Sequence, residues 1–448
     1  MSEVCPSQDP TPPPAAREDV TQLRPAPRVV GAQARPRRLL LCLDGVPFEL
    51  VTEAQARGLF ENFRAPARLL SPFPTLTNVA LAQMLRASPP NGYESLYFDR
   101  EAREQRGGIS KYIGRRTPDK VPSSYMDELD YQEPLHFEFL IYVATDKIWR
   151  ADMGRFRERF LSAPPARDFF GFIKATDGLL HLQGPERLLA ALRSLDQILR
   201  ELQREAGTET EIVVFSDHGM NLRENRRVHL QTHLRRCGYE FVRNMRRPRG
   251  RRRVSVPGFG LCGYAALYCG EETDRAELAD ALRQLEGVDF SVYRDGEDAA
   301  FVAGARGLAR IRRARRGDAT LYAYEQKDGD PLALSEVVRA MRDGGRLDGE
   351  GFAEDSEWLA RTWRHEYPDA PANVFGSVHT PRVRHTADVL VSIRDGFYYG
   401  ASAFERIVSI KATHGNAQRP SSTAFMMSTH RALPAFVRST EARPLLRD

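Results

Sequence analysis

Short, unbroken apolar runs that end in polar or acidic residues recur along the chain, and they constrain its fold more than any other feature. The clearest are "RLLLCLDG" (38–45), "FFGFIKATDG" (169–178) and "EIVVFSDHGM" (211–220). Four or more consecutive aliphatic, β-branched or aromatic residues without alternation read as strands buried on both faces. Helical patterns separate them: "TEAQARGLFENF" (52–63), "NVALAQML" (78–85) and the long amphipathic "PERLLAALRSLDQILRELQREA" (185–206), framed by Gly184 and Gly207. Alternating buried strands and helices predict a doubly wound α/β fold, with a mostly parallel central sheet flanked by helices.

The texture changes near Gly263. "GYAALYC", "VDFSVYR", "AAFVAGA" and "ATLYAYE" are short strand candidates, with "DRAELADALRQL" as a helix between the first two. They predict a small α+β insertion over residues 263–345. The catalytic core is expected in two parts, 37–262 and 346–448, with "TADVLVSI" and "TAFMMS" returning to the first sheet. Residues 1–36, rich in Pro, Ala and Arg without apolar periodicity, read as a disordered tail.

No window approaches eighteen consecutive apolar residues, so no membrane span is expected. The N-terminal stretch lacks a basic start followed by an apolar run, which makes cytoplasmic the expected location. Five cysteines without a C-x-x-C pair indicate neither a disulfide framework nor a cysteine zinc site. Residues 223–253 hold twelve arginines against two glutamates, although the whole chain carries only +5. That segment reads first as a solvated basic loop and second as a contact for a polyanion.

In an open parallel sheet, reactive groups gather beyond the carboxyl ends of the strands. Asp44 follows "LLLCL", Asp177 follows "FFGFIKAT", Asp217 and His218 follow "EIVVFS", and His414 follows "ERIVSIKAT". His181 lies four residues after Asp177, on the same face if that segment is helical. The loop "SPFPTLTN" offers hydroxyls at Ser71, Thr75 and Thr77. Each residue taken alone has an ordinary structural explanation, such as a turn or a helix cap. Taken together, three carboxylates and three imidazoles with no thiol suit two divalent cations sharing one site, zinc first and manganese or magnesium as alternatives. Two ions of that kind clamp the oxygens of a phosphoryl displacement, and a hydroxyl bound to one becomes a nucleophile. The pairs His229/His233 and His379/His385 are expected to be structural or surface residues.

The ordered motifs "LDGV", "FPTLTN", "TDGLLH", "SDHGM" and "THG" resemble the alkaline phosphatase superfamily, and within it the type I phosphodiesterase and nucleotide pyrophosphatase branch. The resemblance runs from about Arg38 to the C-terminus. It implies one metal on Asp177, His181 and His414, and another on Asp44, Asp217 and His218 with Thr77 bound to it as nucleophile. It also implies that Asn78 or its backbone amide holds a phosphate oxygen, although relatives usually place that Asn two residues further on, where this chain has Ala80. A sulfatase is disfavoured, since no C/S-x-P-x-R sequence stands at the nucleophile. The implied activity is hydrolysis of a phosphodiester or pyrophosphate bond in a small phosphate ester, with a nucleotide-like one as a candidate, through a phosphothreonine. The alternatives are a phosphomonoesterase or phosphonate hydrolase on the same site, or a polyanion or nucleic-acid binding protein using residues 223–253.

Overall fold

The computed structural model describes residues 37–108, 121–134, 144–165, 167–246, 250, 252–400 and 409–447. The expected tail, 1–36, and part of the arginine-rich segment lie outside them.

The unbroken apolar runs form the middle of a seven-stranded sheet. Its order is Phe436–Arg438, Ala67–Leu70, Thr423–Ser428, Glu211–Phe215, Arg38–Leu43, Phe169–Ile173 and Tyr131–Gln132. Arg38–Leu43 pairs in parallel with both Phe169–Ile173 and Glu211–Phe215, and all three are buried throughout. Side chains of a strand alternate between faces. Leu39, Leu41 and Leu43 join one core with the helices Phe48–Ala56, Thr145–Ser162, Ala175–Gln183 and Pro185–Ala206. Leu40 and Cys42 join a second core with the helices Thr77–Met84 and Ala442–Arg447. Helices thus cover both faces, as the continuous apolar runs require.

Thr423–Ser428 alone runs against its neighbours in this sheet, pairing antiparallel with Ala67–Leu70 and Glu211–Phe215. Its amino end therefore lies at the same edge as the carboxyl ends of the parallel strands. The chain enters that edge through the segment carrying His414.

The expected strand "ERIVSIKAT" is corrected over its described part, residues 409–413. Residues 401–408 lie outside the described residues, and the described part beyond them makes only isolated bridges, Ile410 to Asn225 and Thr413 to Asn221. A second correction concerns Val389–Ile393. It does not rejoin the first sheet; it pairs between Val288–Arg294 and Tyr264–Cys269 in a separate nine-stranded sheet. A buried five-residue run fits the middle of any sheet, and nothing in its composition selects a partner. This second sheet also takes in Glu240–Phe241, Arg253–Ser255 and Ala353–Glu354, so it reaches beyond residues 263–345 on both sides.

Two elements give no clear signal in the sequence. Gly307–Arg316 is a ten-residue strand whose arginines mask its alternation; Ala309 and Ile311 face the core, and Arg310, Arg312 and Arg313 pair with Asp295, Glu325 and Asp298. Ala370–His379 is a helix despite Pro371 and Gly376. Proline in a first helical turn costs no hydrogen bond, because that N–H has no helical partner anyway.

Candidate metal centre

Each polar strand end is held in place by the geometry around it. Asp44 leaves its strand into Gly45, whose φ of +71° opens the turn. A Cβ at Gly45 would sit 3.1 Å from Asp177 Oδ1 and 3.0 Å from the Met220 side chain, so only glycine lets these groups approach. Asp177 and His181 stand one turn apart on helix Ala175–Gln183. Asp217 and His218 follow strand Glu211–Phe215 directly. His414 is fixed by the pairing of Thr413 with Asn221, whose backbone and side chain both bond to it.

Two groups of three result. Asp177, His181 and His414 each offer an atom within 4.8 Å of the others, as do Asp44, Asp217 and His218; among the described residues these are the groups able to hold a metal ion. The groups adjoin, since the His218 and His414 rings stack with centroids 4.0 Å apart.

All three imidazoles face backbone carbonyls through Nδ1: His181 to Ala412 O at 2.7 Å, His218 to Gly219 O at 3.0 Å, and His414 to Thr75 O at 2.8 Å. A carbonyl only accepts, so Nδ1 carries the proton and a neutral ring turns its Nε2 lone pair inward. There it meets acceptors. His218 Nε2 lies 3.5 Å from Asp44 Oδ1 and 3.4 Å from Asp217 Oδ2. Asp177 Oδ1 lies 3.3 Å from His181 Nε2 and 3.5 Å from His414 Nε2. Asp177 Oδ1 and Asp217 Oδ2 are buried without a hydrogen-bond partner. Converging lone pairs with orphaned carboxylate oxygens are costly unless a cation sits among them. The donor set fits a borderline divalent ion in each group.

Ionisation follows the same pattern. Burial, then repulsion from Asp217 and Asp177, pushes Asp44 well above the usual carboxylate range. Burial raises Asp217 to about 6. It lowers His218 to about 4 and His414 to about 3, which keeps both rings neutral and ligand-ready. Burial would also raise Asp177, but its pairing with His181, whose imidazole is raised in return, outweighs it and leaves that carboxyl lowered.

The three loop hydroxyls have different partners. Ser71 Oγ donates to Asp217 O at 2.5 Å, and Thr75 Oγ1 donates to Asn416 O at 3.2 Å. Thr77 Oγ1 instead donates to Asp44 Oδ1 at 3.2 Å and lies 3.3 Å from His218 Nε2. Thr77 and Asn78 open helix Thr77–Met84, after Leu76 as N-cap. Amides in a first turn have no partner within the helix, so this end favours an anion.

Several supporting residues carry no sequence signal. Phe73 N donates to Asn373 Oδ1 at 2.8 Å, Asn373 Nδ2 donates to Ser71 O at 3.0 Å, and the buried Arg382 guanidinium donates to Phe73 O. These bonds tie the Thr77 loop to helix Ala370–His379. Asp395 Oδ1 accepts from Asn221 Nδ2 and Asn416 Nδ2, bracing the segments on either side of His414. Asn221 and Asn416 lie within three residues of site histidines, which is the one available hint; Asn373, Arg382 and Asp395 lie far from any motif.

Three of the four histidines outside the metal groups that the sequence singles out have structural partners. His233 Nε2 faces Ala281 O, His379 Nε2 faces Ala299 O, and His385 stacks on Tyr97. His229 is the N-cap residue of helix Leu230–Arg236. In the arginine-rich segment, Arg226, Arg246, Arg252 and Arg253 pair with Glu286, Glu104, Glu277 and Glu240. No helix among the described residues is long and apolar enough to cross a membrane.

The family profile described as type I phosphodiesterase / nucleotide pyrophosphatase matches residues 97–321, half of the chain. Among solved structures, the phosphonoacetate hydrolase of Sinorhizobium meliloti 1021 in complex with phosphonoformate superposes with a TM-score of 0.52 at 14% identity, covering 92% of this chain and 95% of that one. Human ectonucleotide pyrophosphatase / phosphodiesterase 5 gives 0.46 at 12% identity, over 92% and 93% of the two chains. No curated protein matches the sequence significantly. The fold is of the alkaline phosphatase type, and the chain belongs to the type I phosphodiesterase / nucleotide pyrophosphatase family.

Proposed function

We propose that the protein hydrolyses phosphodiester or pyrophosphate bonds of a small, nucleotide-like phosphate ester, with Thr77 as the nucleophile. The observation that carries this reading is the contact of the Thr77 hydroxyl with Asp44 and His218, at the start of a helix and inside a candidate metal group. Asp177, His181 and His414 would hold one divalent cation, and Asp44, Asp217 and His218 the other, with zinc the ion that best suits three imidazoles and three carboxylates. When bound, the ions would neutralise charge on the phosphoryl oxygens and make the hydroxyl more acidic.

The chain's own residues account for the remaining steps. The Thr77 O–H points its proton at Asp44 Oδ1, so the oxygen is oriented and its proton has an acceptor. Attack in line forms the Oγ1–P bond and breaks the bond to the leaving oxygen, giving a phosphothreonine. Water then displaces Thr77 from phosphorus, releasing phosphate or a phosphomonoester and restoring the hydroxyl. The Asn78 amide and the first-turn amides favour the developing charge on the transferred group.

The test compares bis-p-nitrophenyl phosphate, p-nitrophenyl phosphate and phosphonoacetate as substrates of the zinc-loaded protein. The proposal expects the diester to give the highest kcat/KM, and expects Thr77→Ala to lose at least about a hundredfold while retaining its metal. Wild-type turnover by Thr77→Ala would remove Thr77 from the mechanism. A second reading, hydrolysis of a phosphonate, draws on the resemblance of the fold to phosphonoacetate hydrolase; a preference for phosphonoacetate would select it. Binding of a polyanion through residues 223–253 has less support, because four of the arginines there are already paired with glutamates.

A further inference from the structure

We propose that Tyr125 is a positioning residue that sets which end of the Asn78 carboxamide faces the phosphoryl group. The inference rests on the hydrolase reading above. It starts from one contact: the Tyr125 hydroxyl donates to Asn78 Oδ1 at 2.7 Å. A carboxamide carries its acceptor oxygen and its donor nitrogen on opposite sides of one carbon. Tying down Oδ1 therefore turns Nδ2, with its two protons, away from Tyr125. Among the described residues Nδ2 donates to no protein acceptor, and it is not one of the buried polar atoms left unpaired, so it faces an accessible volume. Asn78 directly follows Thr77 at the start of the helix, where anionic oxygens of a substrate would approach.

The opposite orientation would work against the reaction. It would present Oδ1, an acceptor, to phosphoryl oxygens in a region already rich in carboxylates. An asparagine without a partner can rotate its amide between the two orientations. In the structure the Tyr125 hydroxyl meets Oδ1, which leaves Nδ2 as the free, donating end.

Tyr125 is itself mounted rigidly. Its ring is buried in the core that includes Leu81, Met84 and Leu85, so it packs beside the helix that carries Thr77 and Asn78. It opens the short 3-10 turn Tyr125–Glu128, closed by reciprocal bonds between Ser124 and Asp127. Glu128 anchors the far end of the turn through Arg447 at 2.6 Å. A phenol held this firmly loses little further freedom when it bonds Asn78, which is the condition for pre-organising a catalytic donor.

The test uses the full-length, metal-loaded protein and four variants: Tyr125→Phe, Asn78→Ala, Asn78→Asp and the double variant Tyr125→Phe/Asn78→Ala. Tyr125→Phe removes one hydroxyl and should lower kcat/KM for bis-p-nitrophenyl phosphate by about fivefold, the scale of one neutral hydrogen bond. It should weaken competitive inhibition by inorganic phosphate by a similar factor, with metal content and Tm unchanged. Asn78→Ala should cost more, and adding Tyr125→Phe to it should cost nothing further, because the hydroxyl then has no amide to orient. Asn78→Asp should fall below Asn78→Ala, since it accepts the Tyr125 bond but presents an oxygen in place of the NH2. Wild-type kinetics for Tyr125→Phe, an equal loss from Tyr125→Phe with and without Asn78, or wild-type kinetics for Asn78→Asp would each overturn the proposal. Thr77→Ala separates this result from the hydrolase reading. If Thr77→Ala is inactive and Tyr125→Phe is not impaired, only the positioning role fails; if Thr77→Ala retains full turnover, both fail.

Discussion

The two candidate metal groups are built from the same residue types but differ in charge and in access. Asp44, Asp217 and His218 are fully sealed, with two carboxylates for one imidazole. Asp177, His181 and His414 reverse that ratio, and Asp177 is half-buried. The consequence appears in the carboxyl groups: Asp44 and Asp217 are raised, whereas Asp177 is lowered. The sealed group concentrates negative charge and touches Thr77. Under the proposed function it would hold an ion beside Thr77. The more open group carries less negative charge, with one carboxylate for two imidazoles.

That contrast can be broken from either side. The largest expected effect comes from Asp217→Asn in the sealed group, which should lose one equivalent of zinc and lower kcat/KM by on the order of a thousandfold, since the ion beside Thr77 depends on it. Metal stoichiometry by atomic emission together with steady-state kinetics would check this. His181→Ala should also lose one equivalent, from the other group. Its phosphoenzyme should still form and should break down slowly, so burst kinetics would distinguish the two variants. Two equivalents of zinc bound to either variant would contradict the assignment of ligands.

A pH titration sharpens the same comparison with a smaller effect. The raised carboxyls of Asp44 and Asp217 hold protons at higher pH than ordinary carboxylates do. A metal entering the sealed group must expel them, so its affinity rises with pH and weakens as pH falls through about 6. The expected slope is about tenfold per pH unit for each proton displaced, readable by competition with a zinc-binding dye. A flat profile between pH 5 and 7, on the order of two units, would contradict the burial argument. Outside the metal groups the expected effect is smaller still: Asn373→Ala, which frees the Thr77 loop at Phe73 and Ser71, should lower kcat by roughly tenfold at unchanged zinc content.

The parts of this arrangement that are legible in the sequence share one physical cause. A strand buried on both faces must be continuously apolar, so its polar end is conspicuous; Asp44, Asp217 and His218 stand out for that reason. Asp177 and His181 are readable because four residues make one helical turn. Elements whose placement depends on partners far along the chain are not readable. Val389–Ile393 has the composition of a central strand, yet only the folded chain shows that it pairs in the second sheet. Arg382 and Asn373 act through backbone atoms of a loop about three hundred residues away, and side-chain to backbone bonds leave no pattern in sequence. Tyr125 is missed for the same reason, since its partner Asn78 is 47 residues distant. Gly307–Arg316 shows a different failure: its exposed face is arginine, and that charge obscures a regular period of two.

The central claim is that Thr77 becomes covalently bound to phosphorus during turnover. Acid quenching of the zinc-loaded enzyme during turnover of bis-p-nitrophenyl phosphate, followed by peptide mass mapping, tests it directly. The account predicts a phosphorylated or phosphodiester-modified peptide with the modification on Thr77, absent from Thr77→Ala and accumulating in His181→Ala. Steady turnover with no modified peptide in either the wild type or His181→Ala, or with the modification on another residue, would contradict it.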